Sequence, residues 1–486
     1  MKRLFLLTFI FFSVIFLFSC GEEIGSGGGG DFAFDLKEAK NGELTGCTDP
    51  LAMNYQPGAA FDNNSCVYAE VTCEDVDYVL DVKTRVIDNE DLNLPLGSVI
   101  GLQAGEKLTF IIRNFHGTPT QPYIFVNCDG QLDVTGDQPG IKLHTNSHIR
   151  ITGTGSPDHF YGIVVHDTRP FGLVSELSNS DFEVDHLEIY NTAGPAISAR
   201  TRPVCDGSSN RETFTQFNSI FHHNYTHDAV DGEGFYIGGS HWHSSFQDGE
   251  ARDCPDFTLF EPLLKGVRVY NNITENTGRD GIQVGNAVED CKIYNNVVIN
   301  YGLQNITVHQ SGIQLNPGTV GEVHSNIIVG GTGAGMFING FDNLIHSNII
   351  YNCAKNAFHL GDRNPPDGMS YRIQNNTVVN VGGHAIYMNS KLSVDNIFTN
   401  NVLVNITDSL NNKLSPDVDI DISNNYHTDD LSELMFIDPA NFDFRPMEGS
   451  PLIDAGINTG ESLSSDFLMN RRSKGTAIDI GAIESN

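Results

Sequence analysis

The sequence predicts an all-β chain, a right-handed parallel β-helix with a small Cys-bracketed module before it and a cap behind it. Three observations predict it. From about residue 183 to 426 one phrase recurs: an alternating apolar strand, an Asn, a polar or Gly-rich turn and a second alternating strand. It reads Val267-Arg268-Val269-Tyr270-Asn271-Asn272 with Gly281-Ile282-Gln283-Val284-Gly285, and returns as Val323-His324-Ser325-Asn326 with Gly335-Met336-Phe337-Ile338-Asn339. Placing Asn272, Asn296, Asn326, Asn348, Asn376, Asn401 and Asn425 in one register gives spacings of 24, 30, 22, 28, 25 and 24 residues, the size of a solenoid coil. In four coils the second strand starts ten residues after the Asn, at Ile282, Met336, Phe358 and Ile386, so the turn has a fixed length and insertions fall elsewhere.

Period-two alternation turns Ile282 and Val284 inward and Gln283 outward. A single coil cannot bury its apolar face. Stacking coils roughly 4.8 Å apart buries a continuous column of Ile, Val, Leu and Phe and pairs each strand in parallel with the next. The asparagines then form a ladder at a bend, where Asn tolerates the left-handed backbone and bonds neighbouring main chain. Earlier coils read out at Leu108–Ile112, Pro122–Val126, His148–Ile151 and Gly162–Val165.

The chain starts Met1-Lys2-Arg3, continues with an apolar run from Leu4 to Phe18 and then Ser19-Cys20-Gly21, the layout of an export signal. Leu17-Phe18-Ser19-Cys20 resembles the bacterial lipobox, which implies lipidation of Cys20, and Gly21-Glu22-Glu23 resembles the acidic export tag of Bacteroidetes surface lipoproteins. The resemblance implies an outer-membrane, cell-surface location held by a lipid anchor. The glycines after Ser26 read as a flexible tether. The expected layout is a signal at 1–20, a tether at 21–45, the Cys-bracketed module at 46–73, the β-helix at 74–430 and the cap at 431–486.

Lys and Arg total 28 against 61 Asp and Glu, a net charge of −33, which argues against nucleic acid as a partner because binding it rests on cations. Besides Cys20 there are eight cysteines, and an exported chain permits disulfides. Cys47 with Cys66 and Cys205 with Cys254 each bracket a polar stretch and are the expected pairs. Cys291 and Cys353 fall at different positions around the coil and should stay unbonded. The sequence points to no definite cofactor. Ca²⁺ is a candidate for the Asp and Asn side chains between Cys47 and Cys66, although a disulfide-closed turn explains them as well.

The repeat resembles that of the parallel β-helix proteins, the fold of pectate and alginate lyases and of polygalacturonases, over most of residues 97–484. The resemblance implies a polysaccharide as partner, and a lyase ahead of a glycoside hydrolase or a non-catalytic glycan-binding protein. Phe442-Asp443-Phe444-Arg445-Pro446 through Asp479-Ile480-Gly481-Ala482-Ile483-Glu484 resembles the closing segment of secreted β-helix proteins and implies a cap on the last coil. The Gly-His-Gly and paired Asp of polygalacturonases are absent.

Aligning Gly234, Gly281 and Gly312 on three successive coils gathers Asp231, Glu233, Arg279, Asp280, His309 and Tyr236 within about two coil spacings, roughly 10 Å. Tyr236, Gln283 and Gln314 then point outward side by side. An insertion from Gly239 to Pro262, carrying His241, Trp242 and His243, could wall the same face, with Trp242 as a stacking surface for sugar rings. For β-elimination from a uronate, Arg279 would offset the substrate carboxylate and His309 or Tyr236 would act as base. For hydrolysis, Asp231, Glu233 and Asp280 supply carboxylates. His222, His223, His227 and Asp228 could bind a metal but lack a recognisable ligand spacing, and solvated or stacked turn residues are the preferred reading. Lys355 and His384 fall on another face in this reading.

Overall fold

The computed structural model describes Thr45–Gly46, Phe61–Asp62 and residues 71–242, 254, 258–361, 365–407, 413–460, 463, 465–470, 472 and 475–485. The signal, Cys20, the tether, and Cys47 and Cys66 lie outside them. The chain divides into two compact units, Met1–Leu36 and Lys37–Asn486, and the description below concerns the second. Among the described residues no helix is long and apolar enough to cross a membrane.

Lys37–Asn486 holds a parallel β-helix. One sheet stacks twelve parallel strands, from Val86–Asp88 through Phe235–Ile237, Ile282–Val284 and Ile313–Leu315 to Lys413–Leu414. Between its coils the chain crosses a second, longer sheet, where strands such as Arg268–Tyr270 and Ile273–Glu275 meet at a bend. The inward residues, among them Phe110, Phe221, Phe235, Ile282, Val284 and Phe358, form one closed apolar column. The strands stay short because three must fit in each turn of about 24 residues.

At the bend, Asn224, Asn272, Asn296, Asn326, Asn348, Asn376, Asn401 and Asn425 hydrogen-bond side chain to side chain at 2.9–3.1 Å. The ladder is as expected, but the left-handed backbone belongs one residue earlier. Asn271, Asn295, Ser325, Ser347, Asn375, Asn400 and Asn424 carry the positive φ, which turns the chain so that the next side chain points inward. The ladder amide then satisfies main-chain carbonyls that the bend leaves open: Asn348 Nδ2 donates to Val323 O and His346 O, each at 2.9 Å.

The C-terminal segment closes the body along its flank rather than only over the last coil. Ser325 and Ser347 donate to the carbonyls of Asp466 and Ser465, and Asn375, Asn400 and Asn424 to those of Asp479, Ile457 and Ala455. Leu434, Phe436, Phe444, Leu452, Ile480 and Ile483 cover Ile349, Val379, Val402 and Val404. Cys205–Cys254 is bonded as expected, and Cys291 and Cys353 are free and buried. Cys73 pairs with Cys128, tying the entry of the body to its early coils.

Beneath this flank His222, Tyr270, Tyr294, His324 and His346 stack on successive coils at 4.8–5.1 Å. Burial pushes His324 down to about 3; Lys292 and His346 act the same way and Glu322 opposes them. Burial also takes His223 down to about 3. These rings stay neutral in the folded chain, whereas unfolded His takes a proton below about 6.5. Stability is therefore lost as pH falls from about 6.5, at up to about 1.4 kcal/mol per pH unit for each such ring. His166 and His227, whose folded values are raised, act in the opposite sense. Thermal melts should show the melting temperature falling between about pH 6.5 and 4.5. His324→Gln, a residue type the column already holds at Gln374, should flatten that slope; an unchanged slope would contradict the assignment.

Candidate functional site

The strand Phe235–Ile237 pairs with Ile282–Val284, which pairs with Ile313–Leu315, and Tyr236, Gln283 and Gln314 stand in register. Gly234, Gly281 and Gly312 precede them. A β-carbon at Gly281 or Gly312 would meet Val298 or Ile328 at 2.4 Å, so the chain hugs the core there. Glu233, Asp280 and Ser311 fall one residue before.

Outward does not mean exposed. Gln283 is 0% and Gln314 4% accessible. With its amide nitrogen turned towards acceptors, Gln314 donates to Val308 O and Asp280 Oδ2, both at 3.1 Å. Neither amide atom of Gln283 has a partner.

Beside this row lie Glu233, Asp280 and His309. Each offers one ligand atom, and the three lie within 4.8 Å of one another. His309 Nδ1 is 3.7 Å from Asp280 Oδ2 and 4.0 Å from Glu233 Oε1, distances of ion contacts rather than hydrogen bonds. Ser311 N–H donates to Asp280 Oδ1 at 2.6 Å, which fixes that carboxylate. Both oxygens of Glu233 lack a partner. Burial, then the charge of Asp280, pushes Glu233 up to about 7. Burial also raises Asp280, and the contact with Asp280 raises His309.

His309 reaches back two coils because its loop does. From Asn296 to Ile313 the interval is 313 − 296 = 17 residues rather than ten, so an insertion falls in the turn read as fixed. It docks through Gly302, Leu303 and Gln304 N–H on the carbonyls of Arg279, Thr277 and Gly278.

The remaining candidates scatter. Arg279 pairs with exposed Asp231 at 3.4 Å, so it is engaged at the turn rather than held open for a substrate carboxylate. The cation beside Tyr236 is one the sequence reading missed: Arg200 Nη1 donates to Tyr236 Oη at 2.8 Å and lies 4.7 Å from the ring centre. It directly follows Ile197–Ala199, the strand paired below Phe235–Ile237, one coil before the column that opens at Gly234. Trp242 is not an open sugar platform. Arg211 stacks on it at 4.5 Å, and it lies so close over Gly318 that a β-carbon there would meet the ring at 2.2 Å. It anchors the loop, and His243 lies outside the described residues. Lys355 and His384, expected on another face, occupy the positions of Arg279 and Asp280 in later coils, because the strand register carries straight through.

A second group that could hold a metal, Glu183, Asp185 and His222, is already filled. Arg150 pairs with Asp185 at 2.8 Å and Glu183 at 3.1 Å. His222 Nε2 contacts Glu183 at 2.9 Å, and the Nδ1 atoms of His222 and His223 share a proton at 2.7 Å. His227 binds Asp228 at 2.7 Å. The four residues do not converge on one ligand position.

Residues 171–341 match the family described as the right handed beta helix region. The chain is a right-handed parallel β-helix. No curated protein matches it in sequence. Among solved structures it is similar to an alginate lyase from Paenibacillus sp. str. FPU-7, at 14% identity over 72% of this chain and 99% of that one, with a TM-score of 0.38. It is also similar to a PL6 family polysaccharide lyase from Pseudopedobacter saltans, at 12% identity over 78% and 100%, TM-score 0.38. A GH136 lacto-N-biosidase from Eubacterium ramulus aligns at 10% identity over 71% and 68%, TM-score 0.43.

Proposed function

We propose that the chain acts on a polysaccharide at the row Tyr236–Gln283–Gln314, as a lyase anchored at the cell surface through Cys20. The observation that carries this reading is Gln283: a fully buried amide whose donor and acceptor both lack a partner, in register with Tyr236. Gln283 is closed off in this conformation, so a hydroxyl-rich ligand supplies both missing partners only when the covering over this face opens.

In β-elimination, Tyr236 Oη takes the proton from the carbon bearing the uronate carboxylate. Tyr236 acts here as the phenolate; the freed electron pair forms a carbon–carbon double bond as the bond to the glycosidic oxygen breaks, and that oxygen takes a proton from water or from the newly protonated Tyr236. Arg200, donating to Tyr236 Oη, is placed to hold negative charge there. Hydrolysis would need two carboxyl groups flanking the bond, whereas Glu233 and Asp280 offer oxygens clustered within 4.8 Å of one another and of His309.

Gln283→Leu separates a ligand contact from a structural one. Replacing an unpartnered buried amide with an apolar side chain of similar size should leave the melting temperature unchanged or raised. Glycan turnover or binding should fall at least about tenfold. A lower melting temperature with intact turnover would sink the reading.

Surface anchoring rests on the lipobox resemblance at Leu17–Cys20. Cys20→Ala should move the protein out of the membrane fraction or leave it unprocessed, and unchanged anchoring in fractionated cells would count against it.

A further inference from the structure

We propose that Glu233, Asp280 and His309 bind one divalent cation of the Zn²⁺ or Mn²⁺ type. The proposal is tested apart from the reading of the glycan row, because its readout is metal binding, although Gln314 of that row also donates to Asp280 Oδ2 at 3.1 Å.

Three ligand atoms lie within 4.8 Å of one another. Metal bonds of about 2.0–2.2 Å set ligand atoms roughly 3–4 Å apart. His309 Nδ1 stands at 3.7 and 4.0 Å from the two carboxylates, too far for a hydrogen bond and right for a shared ion. The independent sign of a missing partner is Glu233, which is 1% accessible and aimed at His309 with no hydrogen bond to either oxygen. A buried carboxylate without a partner is costly, and the nearby Arg279 is engaged with Asp231.

The filled cluster at Glu183, Asp185 and His222 shows what satisfaction looks like: there Arg150 supplies the positive charge. Among the described residues no guanidinium bonds Glu233 or Asp280; Arg279, paired with Asp231, reaches them through its charge alone. The ligand set also selects the ion. An imidazole with two carboxylates suits Zn²⁺ or Mn²⁺, whereas Ca²⁺ seeks six to eight oxygens. Ser311 N–H holds Asp280 from behind, the kind of outer contact that orients a ligand. His309 is about a third accessible, which leaves one side of the ion open to water.

The test uses the full mature chain, stripped with a chelator and titrated calorimetrically with ZnCl₂ and with MnCl₂. One equivalent should bind and raise the melting temperature. Glu233→Gln and His309→Ala should each weaken that equivalent by at least about a hundredfold, since even outer-shell changes cost 10–100-fold. Glu183→Gln should leave it intact. Two variants are needed because His309 sits on a half-exposed loop and its loss cannot unfold the core. Absence of a stoichiometric site in the parent would overturn the proposal. So would binding that survives both variants. If Glu233→Gln stabilises the metal-free chain while the parent ignores both salts, the cluster holds a proton and the proposal fails.

Discussion

Replacing Arg472 with Ala is expected to destabilise the flank by about 3–5 kcal/mol, the range for removing one member of a buried ion pair. Arg472 is 5% accessible and bonds Glu484 Oε1 at 2.9 Å. Its other nitrogens donate to Ser347 Oγ at 2.8 Å and to the carbonyls of Ala482 and Ser465. One guanidinium thus joins the C-terminal segment to the bend beneath it. Without it Glu484, already pushed up to about 7 by burial, would remain enclosed with no countercharge. Urea unfolding should show the loss, and limited proteolysis should cut first between about residues 431 and 485. A variant as stable as the parent would mean the segment is held by its apolar contacts alone.

Tyr236→Phe should lower turnover at least about a hundredfold, the usual contribution of a positioned base. The ring would still lie beside Arg200, so the melting temperature should barely move. Lys292→Ala, on the outer face of the other sheet, should leave turnover intact. Kinetics on any substrate the parent cleaves decides this, and full activity in the Phe variant would remove Tyr236 from the chemistry.

Much of this was legible in the sequence for one reason. Parallel stacking repeats the same register coil after coil, so aligning Gly234, Gly281 and Gly312 sufficed to bring Tyr236, Gln283 and Gln314 together, and Glu233 beside Asp280. What escaped depends on contacts that the register does not encode. The burial of Gln283, on a strand face that alternation turns outward, is one such feature. The role of Trp242 comes from side chains meeting across loops, whereas Arg200 stands in the register one coil before the aligned column. The Cys73–Cys128 pairing joins the entry segment to a coil 55 residues on. The C-terminal segment lies along the flank because the bends offer Ser and Asn donors to its carbonyls, a match between two distant stretches. The loop carrying His309 did leave a signal, the seventeen-residue interval after Asn296, which a fixed-turn reading passed over.

The decisive measurement incubates the mature chain with a set of uronate and neutral polysaccharides and follows ultraviolet absorbance of unsaturated ends together with reducing sugar. The account predicts unsaturated ends from at least one uronate polymer, lost in Tyr236→Phe and Gln283→Leu. Reducing sugar without unsaturation, or neither product nor binding on every polymer, would contradict it.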